Sequence, residues 1–457
     1  MNLRRSVLKI ASKLNVIPFI KAIQLLRANA SLLKICSYYI RARNAIINNY
    51  LSEPTLTALQ FDTTVLDRYI LKSAQSLTSG LLDRQSPELD PMRICILATR
   101  TYESGGHTEC ILRLMSFLAD FELFFIECDS LYDDHTQGPD KLRKMANRAE
   151  IHLIHHQKDL GQTVAELYKT ILETRARNLI TFIHPHDAVS TAVLGLLKAN
   201  TAVHVIYNVH ADHLLNLGLS FGDAVLVGRQ ASQEALAQHL KRPPIIVSVS
   251  PSYDRTFIFD DNDIEEEKQR LGLDSDNYVT LTGCPAYKIF RDTNLPYWRL
   301  IKRLLIAEPK LKHLFISSLT VDQRRSLNSL FDDAPELLER VVFLEPGPRF
   351  PLYINASDLF IDSFPLGSAL THIDVIREKR PTVIKINDDP FLSFQDYLYD
   401  KYKFNCHTVD EMFDSIIYLL HNPEVRAKIG WEVFQFSKER YSFTRLKNEV
   451  LSYLELN

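Results

Sequence analysis

Clustered cysteines are missing from this sequence of 457 residues. Its six cysteines are scattered, with no Cys-x-x-Cys pair and no grouping with histidines. Neither a disulfide framework nor a thiolate metal centre is therefore expected, and a reducing cytoplasm is the simplest location. A strong excess of charge is also missing, because the formal net charge is −3, and nothing in this balance favours nucleic-acid binding. A hydrophobic content of 46% is typical of a globular protein with two or three domains.

The N-terminal part lacks a long apolar run. Basic residues such as Lys21, Arg27 and Lys34 interrupt every window of about 20 residues that could cross a bilayer. The features of a secretory signal are also missing. Acidic residues are absent from residues 1–52, so basic side chains alternate there with apolar ones at helical intervals. Two interpretations stay open: a helical region with a solvated basic face, or a basic amphipathic segment within residues 1–50 that docks on an anionic membrane surface or a partner.

What the sequence does contain is two series of short β-rich runs that alternate with helical stretches. The first series begins near Met92, and the second lies between residues 278 and 386. The runs show almost no polar alternation, which is typical of parallel strands buried on both faces. An α/β fold with two Rossmann-like, doubly wound units is therefore predicted. A polar, acidic interval after residue 255 separates them.

Domain boundaries follow from these changes of pattern. A helical N-terminal region occupies residues 1–90 and ends in a linker with prolines and polar residues. The first Rossmann-like domain occupies residues 91–255, and the second occupies residues 256–430. Helical sequence then fills residues 431–457, which can pack back on the first domain.

Histidines follow three of the strands predicted for the first domain. The candidate residues are Gly105, Gly106 and His107 after the first strand, His184, His186 and Asp187 after the fourth, and Asn208, His210, Asp212 and His213 after the fifth. Ligands of open α/β sheets bind beyond the carboxyl ends of the strands, so these side chains are expected to converge. A metal site is one interpretation, although the spacing matches no helical or thiolate ligand pattern. General acid–base catalysis, and histidines that only orient loops, are the other two.

A different set of residues follows the strands of the second domain. Gly283 and Lys288 come after its first strand, and Gly367, Ser368, Thr371 and Asp374 come at a strand, loop and helix start. Small residues at a helix N-terminus expose amides and the positive end of the dipole, which suits a diphosphate. Lys288 can neutralise the same phosphates, and Asp374 can accept hydrogen bonds from ribose hydroxyls. The alternatives are an exposed surface lysine and an acidic first-turn residue favoured by the helix dipole.

The stretch 341–385 resembles the nucleotide-sugar motif of GT-B fold glycosyltransferases. It is most similar to the O-GlcNAc transferase and bacterial adhesin glycosyltransferase group, in which D-x-x-P-x-G…T-x-x-D binds the UDP moiety. The matching residues are Asp362, Pro365, Gly367, Thr371 and Asp374. The loop here is one residue longer than in that group, and residues 377–380 replace a small residue. Retaining enzymes with an E-x7-E motif fit less well, because the first glutamate is missing.

The resemblance implies a GT-B fold, in which two Rossmann-like domains face a cleft. It also implies a bacterial hexosyl- or N-acetylhexosaminyltransferase of glycan biosynthesis. Such an enzyme moves a sugar from a nucleotide-diphosphate donor, with UDP favoured, to a glycan, lipid-linked or protein acceptor. An inverting, metal-independent transfer is expected, without a cofactor, because the nucleotide sugar is a co-substrate. The expected location is the cytoplasm, at the inner face of the membrane if the basic segment docks there.

Site roles and competing functions follow from the same resemblance. His107 is the first candidate for the base or for orienting the acceptor, with Asp187, His210 and Asp212 as rivals. Lys288 and the amides of residues 367–371 are expected to stabilise the leaving diphosphate. A UDP-sugar 2-epimerase, which acts on the donor alone, is a competing interpretation. A non-catalytic glycosyltransferase-like protein that binds a glycan or a transferase is the third.

Overall fold

The computed structural model describes residues 32–49, 63–82, 87–102, 106–129, 139–155, 159–209, 212, 214–239, 245–246, 259–368, 370–387, 398 and 401–456. Contacts divide the chain into two compact units. The first unit comprises Met1–Val249 together with Leu446–Asn457, and the second comprises Ser250–Arg445. The C-terminal end of the chain therefore belongs to the first unit, although the residues that precede it belong to the second.

Two helices precede the first strand. They are α1 at Leu32–Asn49 and α2 at Thr64–Leu77, and both belong to the first unit. The buried residues of α2 recur at helical spacing along one face. Most of the basic segment, residues 1–31, lies outside the described residues, and so does the membrane or partner contact predicted for it. Of the helices in the described ranges, none is long and apolar enough to cross a membrane.

The first unit is built on a sheet of parallel strands in the order β3-β2-β1-β4-β5-β6-β7. The strands are β1 Asp90–Ala98, β2 Glu122–Asp129, β3 Glu150–His155, β4 Ala176–Phe182, β5 His204–Asn208, β6 Ala224–Val227 and β7 Ile245–Ile246. The helices that connect them are α3 Gly106–Phe117, α4 Pro139–Ala146, α5 Leu160–Glu173, α6 Ala188–Asn200 and α7 Gln230–His239. Residues 94–98 of β1 are fully buried, as expected for a strand covered on both faces.

Helix α6 contacts α1, α2 and α5 of the first unit. Its residues 188–197 are all buried, because the N-terminal helices α1 and α2 pack against it. A helix that is apolar all round is buried all round, which accounts for the lack of a polar face in this stretch. The N-terminal helices are therefore an additional layer of the first unit.

The second unit has a parallel sheet in the order β10-β9-β8-β11-β12-β13. Its strands are β8 Tyr278–Gly283, β9 Leu311–Ile316, β10 Val341–Leu344, β11 Leu359–Ile361, β12 Thr382–Lys385 and β13 Asn405–Cys406. Its helices before β11 are α8 Asp261–Arg270, α9 Tyr287–Phe290, α10 Pro296–Ala307, α11 Val321–Leu330, α12 Pro335–Leu338 and α13 Phe350–Asn355. They are followed by α14 Leu370–Arg377, α15 Val409–His421 and α16 Pro423–Arg440, whereas most of α17 Phe443–Leu451 belongs to the first unit. Tyr297 and Trp298 of α10 are fully buried in its core with Phe315 of β9.

The α/β fold class predicted from the sequence is confirmed, with two doubly wound parallel sheets and helices before the first. Every β-rich run singled out from the sequence is a strand. The patterns missed β7 and β13, which are two residues long and lie at sheet edges. An edge strand of this length buries too few side chains to leave a pattern in the sequence.

Candidate active site

The candidate residues of the second unit lie where its strand order reverses. β8 and β11 are neighbours, with β9 and β10 on one side and β12 and β13 on the other. Ligands of open parallel sheets bind in the crevice beyond the carboxyl ends of two such strands. Gly283 ends β8 and Lys288 follows it, whereas Pro365, Gly367 and Ser368 follow β11. The topology therefore brings these two predicted segments together.

Lys288 is a buried cation in this crevice. It lies on α9 with 9% of its surface exposed, and its Nζ donates a 2.6 Å hydrogen bond to the carbonyl oxygen of Gly367. The alternative interpretation of Lys288 as an exposed surface lysine is therefore wrong. Burial raises the pKa of the neighbouring Cys284 thiol to about 12, and the charge of Lys288 opposes that rise. A buried ammonium group in such a crevice is well suited to pair with a phosphate.

Asp362 organises the loop that follows β11. Its Oδ1 accepts hydrogen bonds from the backbone N–H of Ser363 at 2.8 Å and from the backbone N–H of Ser368 at 2.9 Å. The hydroxyl of Ser368 donates to the same oxygen at 2.6 Å. Asp362 is 1% exposed, so three donors converge on one buried carboxylate oxygen. The loop that contains the predicted Pro365 and Gly367 is thereby closed on itself.

Helix α14 begins directly after this loop. A Cβ atom added to Gly283 would lie 3.0 Å from the ring of Phe350 and 3.4 Å from Cγ2 of Thr371, so the missing side chain lets the end of β8 approach the start of α14. Asp374 lies beyond the first turn of α14, which contains no acidic residue. The alternative explanation of Asp374 as a first-turn dipole residue therefore fails. Its Oδ1 lies 3.6 Å from a guanidinium nitrogen of Arg377 on the next turn.

The strand order of the first unit reverses between β1 and β4, and the predicted histidines gather there. His107 follows β1 and is the second residue of α3, whereas His184 and His186 follow β4. The ring centroids of His107 and His184 are 5.7 Å apart, and those of His184 and His186 are also 5.7 Å apart. Two of the three predicted histidine segments therefore meet at the carboxyl edge of this sheet.

His107 has a defined protonation state. Its Nε2 lies 3.0 Å from the carbonyl oxygen of Phe182, and because a carbonyl only accepts, Nε2 carries the proton. Burial lowers the pKa of His107 to about 4, against the opposing effect of this hydrogen bond. The imidazole is therefore neutral near pH 7, and its lone pair is on Nδ1. A neutral histidine with an oriented ring can act as a proton acceptor.

The two other histidines are also neutral. Burial and the charges of neighbouring groups, including Arg41 of α1, lower the pKa of His184 well below its usual value. Burial, with a further contribution from Arg41, lowers the pKa of His186 to about 4. The Tyr102 hydroxyl lies 3.2 Å from Nε2 of His184, and the two rings are nearly parallel. The cluster therefore combines three neutral imidazoles with a phenol.

Asp187 is the N-cap of α6. One carboxylate oxygen accepts from the backbone N–H of Ser190 at 2.9 Å, and the other accepts from the Ser190 and Thr99 hydroxyls. The side chain is fully buried, and burial raises its pKa. Thr99 also accepts a 2.9 Å hydrogen bond from the backbone N–H of His184. Asp187 therefore joins the end of β1, α6 and the loop of residues 183–187 between β4 and α6, called the histidine loop below. This placement favours a supporting role.

Two of the predicted segments are described only in part. In the first, Gly105 lies outside the described residues and Gly106 is the exposed first residue of α3. In the third, Asn208 ends β5, and His210 and His213 lie outside the described residues. Asp212 accepts a 2.7 Å hydrogen bond from Nε of the buried Arg229, and a 2.5 Å hydrogen bond from the Ser232 hydroxyl. These bonds connect the segment after β5 with the start of α7.

The residues that orient Tyr102 were not predicted from the sequence. Glu127, at the end of β2, is 1% exposed and accepts hydrogen bonds from the backbone N–H of Thr101 at 2.8 Å and from its hydroxyl at 2.6 Å. The backbone N–H of Tyr102 donates to the Thr108 hydroxyl at 2.8 Å. A signal was present for Thr101 and Tyr102 alone, because they lie just beyond the carboxyl end of β1, a strand at which the order reverses.

No candidate metal centre is found among the side chains that the structure describes. No three histidine, cysteine, aspartate or glutamate side chains among those residues form a group that could hold a metal ion. The clustered rings of His107, His184 and His186 do not form such a group either.

Comparisons with known proteins agree with the fold. No protein-family model matches the chain, and no curated protein matches it in sequence. Among solved structures, Anabaena Alr3699/HepE in complex with UDP and glucose has a TM-score of 0.62 and 16% identity, over 79% of this chain and 99% of that chain. A point mutant of the Thermobaculum terrenum O-GlcNAc transferase has a TM-score of 0.54 and 12% identity, over 92% of this chain and 81% of that chain.

A further similar structure is named for an activity other than glycosyl transfer. A Listeria monocytogenes protein, to which UDP-N-acetylglucosamine 2-epimerase activity is provisionally assigned, has a TM-score of 0.52 and 12% identity, over 79% of this chain and 95% of that chain. Together these similarities show that the chain has the GT-B fold, as the motif-level resemblance predicted. At such identities they establish the fold alone, so the activity has to be argued from the site.

Proposed function

We propose that the protein is a glycosyltransferase that takes its sugar from a UDP-sugar donor. The observation that carries this proposal is the buried Lys288, whose Nζ is bonded to Gly367 in the loop between β11 and α14. A lysine, a glycine-containing loop and a helix N-terminus at one strand reversal suit a diphosphate. UDP is the nucleotide we favour, because the Anabaena structure similar to this chain contains UDP.

The reaction we propose is an inverting, metal-independent transfer. The acceptor hydroxyl attacks the anomeric carbon as the bond to the diphosphate breaks, and its proton passes to a base. His107 is our candidate for that base, because it is neutral at pH 7 with its lone pair on Nδ1. Lys288 and the N-terminus of α14 stabilise the negative charge on the departing diphosphate, a task that a metal ion performs elsewhere. The acceptor is a glycan, a lipid-linked glycan or a protein.

Calorimetry with free nucleotide diphosphates tests this proposal. UDP is expected to bind more tightly than ADP, GDP or TDP, and Lys288→Ala is expected to weaken UDP binding about tenfold or more, since a charge-assisted pair contributes roughly 1.5–3 kcal/mol. Lys310→Ala is the matched control, because Lys310 is exposed, is paired with Asp276 and precedes β9 at the opposite edge of the sheet. A protein that binds no nucleotide diphosphate would instead be a non-catalytic glycosyltransferase-like protein.

A UDP-sugar 2-epimerase is the second candidate, because a structure with that provisional assignment shares the fold. Incubation of UDP-N-acetylglucosamine with the protein alone separates the two. An epimerised sugar without an acceptor would identify the epimerase, whereas transfer that depends on an acceptor identifies the transferase.

We also propose a peripheral contact of the basic N-terminal segment with anionic membranes, at the cytoplasmic face. Residues 1–31 contain basic residues and no acidic ones. Their deletion leaves α1 in place and is expected to reduce sedimentation with phosphatidylglycerol vesicles. Sedimentation equal to that of the full chain would rule this contact out.

A further inference from the structure

The N-terminal helices bind the segment between β5 and β6 through buried polar side chains. Asn44 of α1, which is 5% exposed, forms a two-way pairing with Leu215: its Nδ2 donates to the carbonyl oxygen at 3.0 Å, and its Oδ1 accepts from the backbone N–H at 2.9 Å. The side-chain amide of Asn44 therefore gives the backbone of Leu215 the same two hydrogen bonds that a neighbouring β-strand would give it. A hydroxyl or an alkyl side chain could not make both bonds.

Asp67 of α2 binds the same segment slightly further along. It is fully buried, and Oδ1 accepts from the backbone N–H of Gly218 at 2.8 Å, while Oδ2 accepts from the Ser220 hydroxyl at 2.7 Å. Thr63, just before α2, has its hydroxyl 3.0 Å from both Oδ2 of Asp67 and the carbonyl oxygen of Asn216. The N-terminal helices thus bind four residues of the segment, at positions 215, 216, 218 and 220.

The other side of this segment contacts the histidine loop. The backbone N–H of Leu217 donates a 2.9 Å hydrogen bond to the carbonyl oxygen of Pro185, which lies between His184 and His186. The carbonyl oxygen of Leu217 accepts from the Tyr207 hydroxyl at 2.7 Å. Leu217 is therefore bonded to the histidine loop while its neighbours on both sides are bonded to the N-terminal helices.

We propose that Asn44, Thr63 and Asp67 are positioning residues for the histidine loop, acting through the β5–β6 segment. This inference rests on the proposed function, in which the base is His107, whose ring centroid lies 5.7 Å from that of His184 in this loop. On this proposal, α1 and α2 contribute to the activity of the transferase by holding the histidine loop in place. Loss of their bonds leaves buried peptide groups of the segment without partners, so the segment moves and the Leu217 to Pro185 bond weakens.

A matched pair of variants separates positioning from stability. Asn178 of β4 makes the same two-way pairing as Asn44, with the backbone of Glu455 at 3.1 and 2.8 Å, and it is also buried in the first unit. Asn178 lies near the start of β4, whereas the histidine loop follows the end of β4. Asn44→Ala and Asn178→Ala therefore remove equivalent bonds, and only the first removes contact with the β5–β6 segment.

Hydrogen exchange of the full-length protein provides a readout that does not need the substrate. Asn44→Ala is expected to increase exchange about tenfold both in residues 214–218 and in residues 183–187. Asn178→Ala is expected to leave residues 183–187 unchanged while residues 453–456 exchange faster. Faster exchange confined to residues 214–218 in Asn44→Ala would overturn the proposal, because loss of the Asn44 bonds would then not change the histidine loop.

A milder pair keeps the test valid if Asn44→Ala does not fold. Thr63→Val removes the hydroxyl that faces Asn216, and Thr78→Val, at the other end of α2, removes a hydroxyl that donates to Ala74. Only Thr63→Val is expected to increase exchange in residues 183–187. Equal effects of the two variants on residues 183–187 would contradict the proposal.

Nucleotide binding and turnover distinguish this inference from the proposed function. UDP affinity is expected to be the same in Asn44→Ala as in wild type, while turnover falls about tenfold at unchanged donor KM. Asn178→Ala is expected to retain wild-type turnover. Absence of UDP binding in wild type would refute the proposed function and leave the exchange result interpretable. Intact turnover in an Asn44→Ala protein with a mobile histidine loop would refute the positioning role alone.

Discussion

Asp362 Oδ1 accepts two hydrogen bonds from Ser368, one from the backbone N–H at 2.9 Å and one from the hydroxyl at 2.6 Å. The hydroxyl proton of Ser368 is therefore donated to Asp362 within the loop that follows β11. Asp362 is the first acidic residue of the nucleotide-sugar motif. Its carboxylate binds the backbone N–H groups of the loop that follows β11. The shape of the proposed phosphate site depends on a carboxylate that is almost entirely buried.

Asp362→Ala is expected to weaken UDP binding about tenfold or more, because it leaves buried donors of the loop without an acceptor. Ser368→Ala removes one of the three donors and should have a smaller effect of the same sign. Ser357→Ala is the control, since its buried hydroxyl donates to Ile354 just before β11, at the other end of that strand. Calorimetry that finds equal UDP affinities for Asp362→Ala and Ser357→Ala would contradict this account of the loop.

His107→Gln is expected to lower turnover about a hundredfold or more while UDP affinity stays unchanged, since it removes the base and keeps a donor for Phe182. Burial lowers the pKa of His107 from 6.5 to about 4, so the base form persists down to acidic pH. Turnover should accordingly show no ionisation of His107 near pH 6.5 and should fall only as pH approaches about 4. A wild-type pH profile with a step near pH 6.5 that His107→Gln abolishes would show that His107 is solvated.

Asp67 predicts a dependence of stability on pH. Burial raises its pKa from 3.8 to about 6, and hydrogen bonds from Gly218, Ser220 and Thr63 oppose the rise. Because the folded-state pKa is the higher one, the stabilising contribution is full below pH 3.8 and is lost as pH rises through about 6, a change of about 3 kcal/mol. Asp67→Asn cannot titrate and should lack this loss.

Urea unfolding across this pH range measures the effect of Asp67. The free energy of unfolding of Asp67→Asn, relative to that of wild type, is expected to rise by about 2–2.5 kcal/mol between about pH 4 and pH 8. Histidines with lowered pKa values change the free energy of unfolding of both proteins equally, so their contribution cancels when wild type is subtracted from Asp67→Asn. Parallel stability curves for the two proteins would mean that Asp67 has the same pKa in the folded and unfolded states.

The sheets were predictable from sequence because buried parallel strands leave continuous apolar runs. The convergence of His107 with His184 was also predictable, because parallel strands place all their carboxyl ends at one edge. The burial of Lys288 was not predictable from the sequence. A lysine that follows a strand gives the same sequence pattern whether its ammonium group is solvated or donates to a carbonyl oxygen. Nor was the supporting role of Glu127 predictable, because only the fold brings the end of β2 to Thr101.

The orientation of α14 depends on a glycine far along the chain. Gly430 of α16 packs directly against the backbone after α14, and a Cβ atom added there would overlap the carbonyl oxygen of Lys379. Gly430→Ala is therefore expected to destabilise the second unit by about 1–3 kcal/mol, because a backbone group cannot move aside as a flexible side chain does. UDP binding should weaken as well, since α14 begins at the proposed phosphate site. Gly347→Ala is the control, because nothing lies within 4 Å of a Cβ atom added at Gly347. Urea unfolding that gives the same free energy for both variants would show that α14 and α16 can separate without cost.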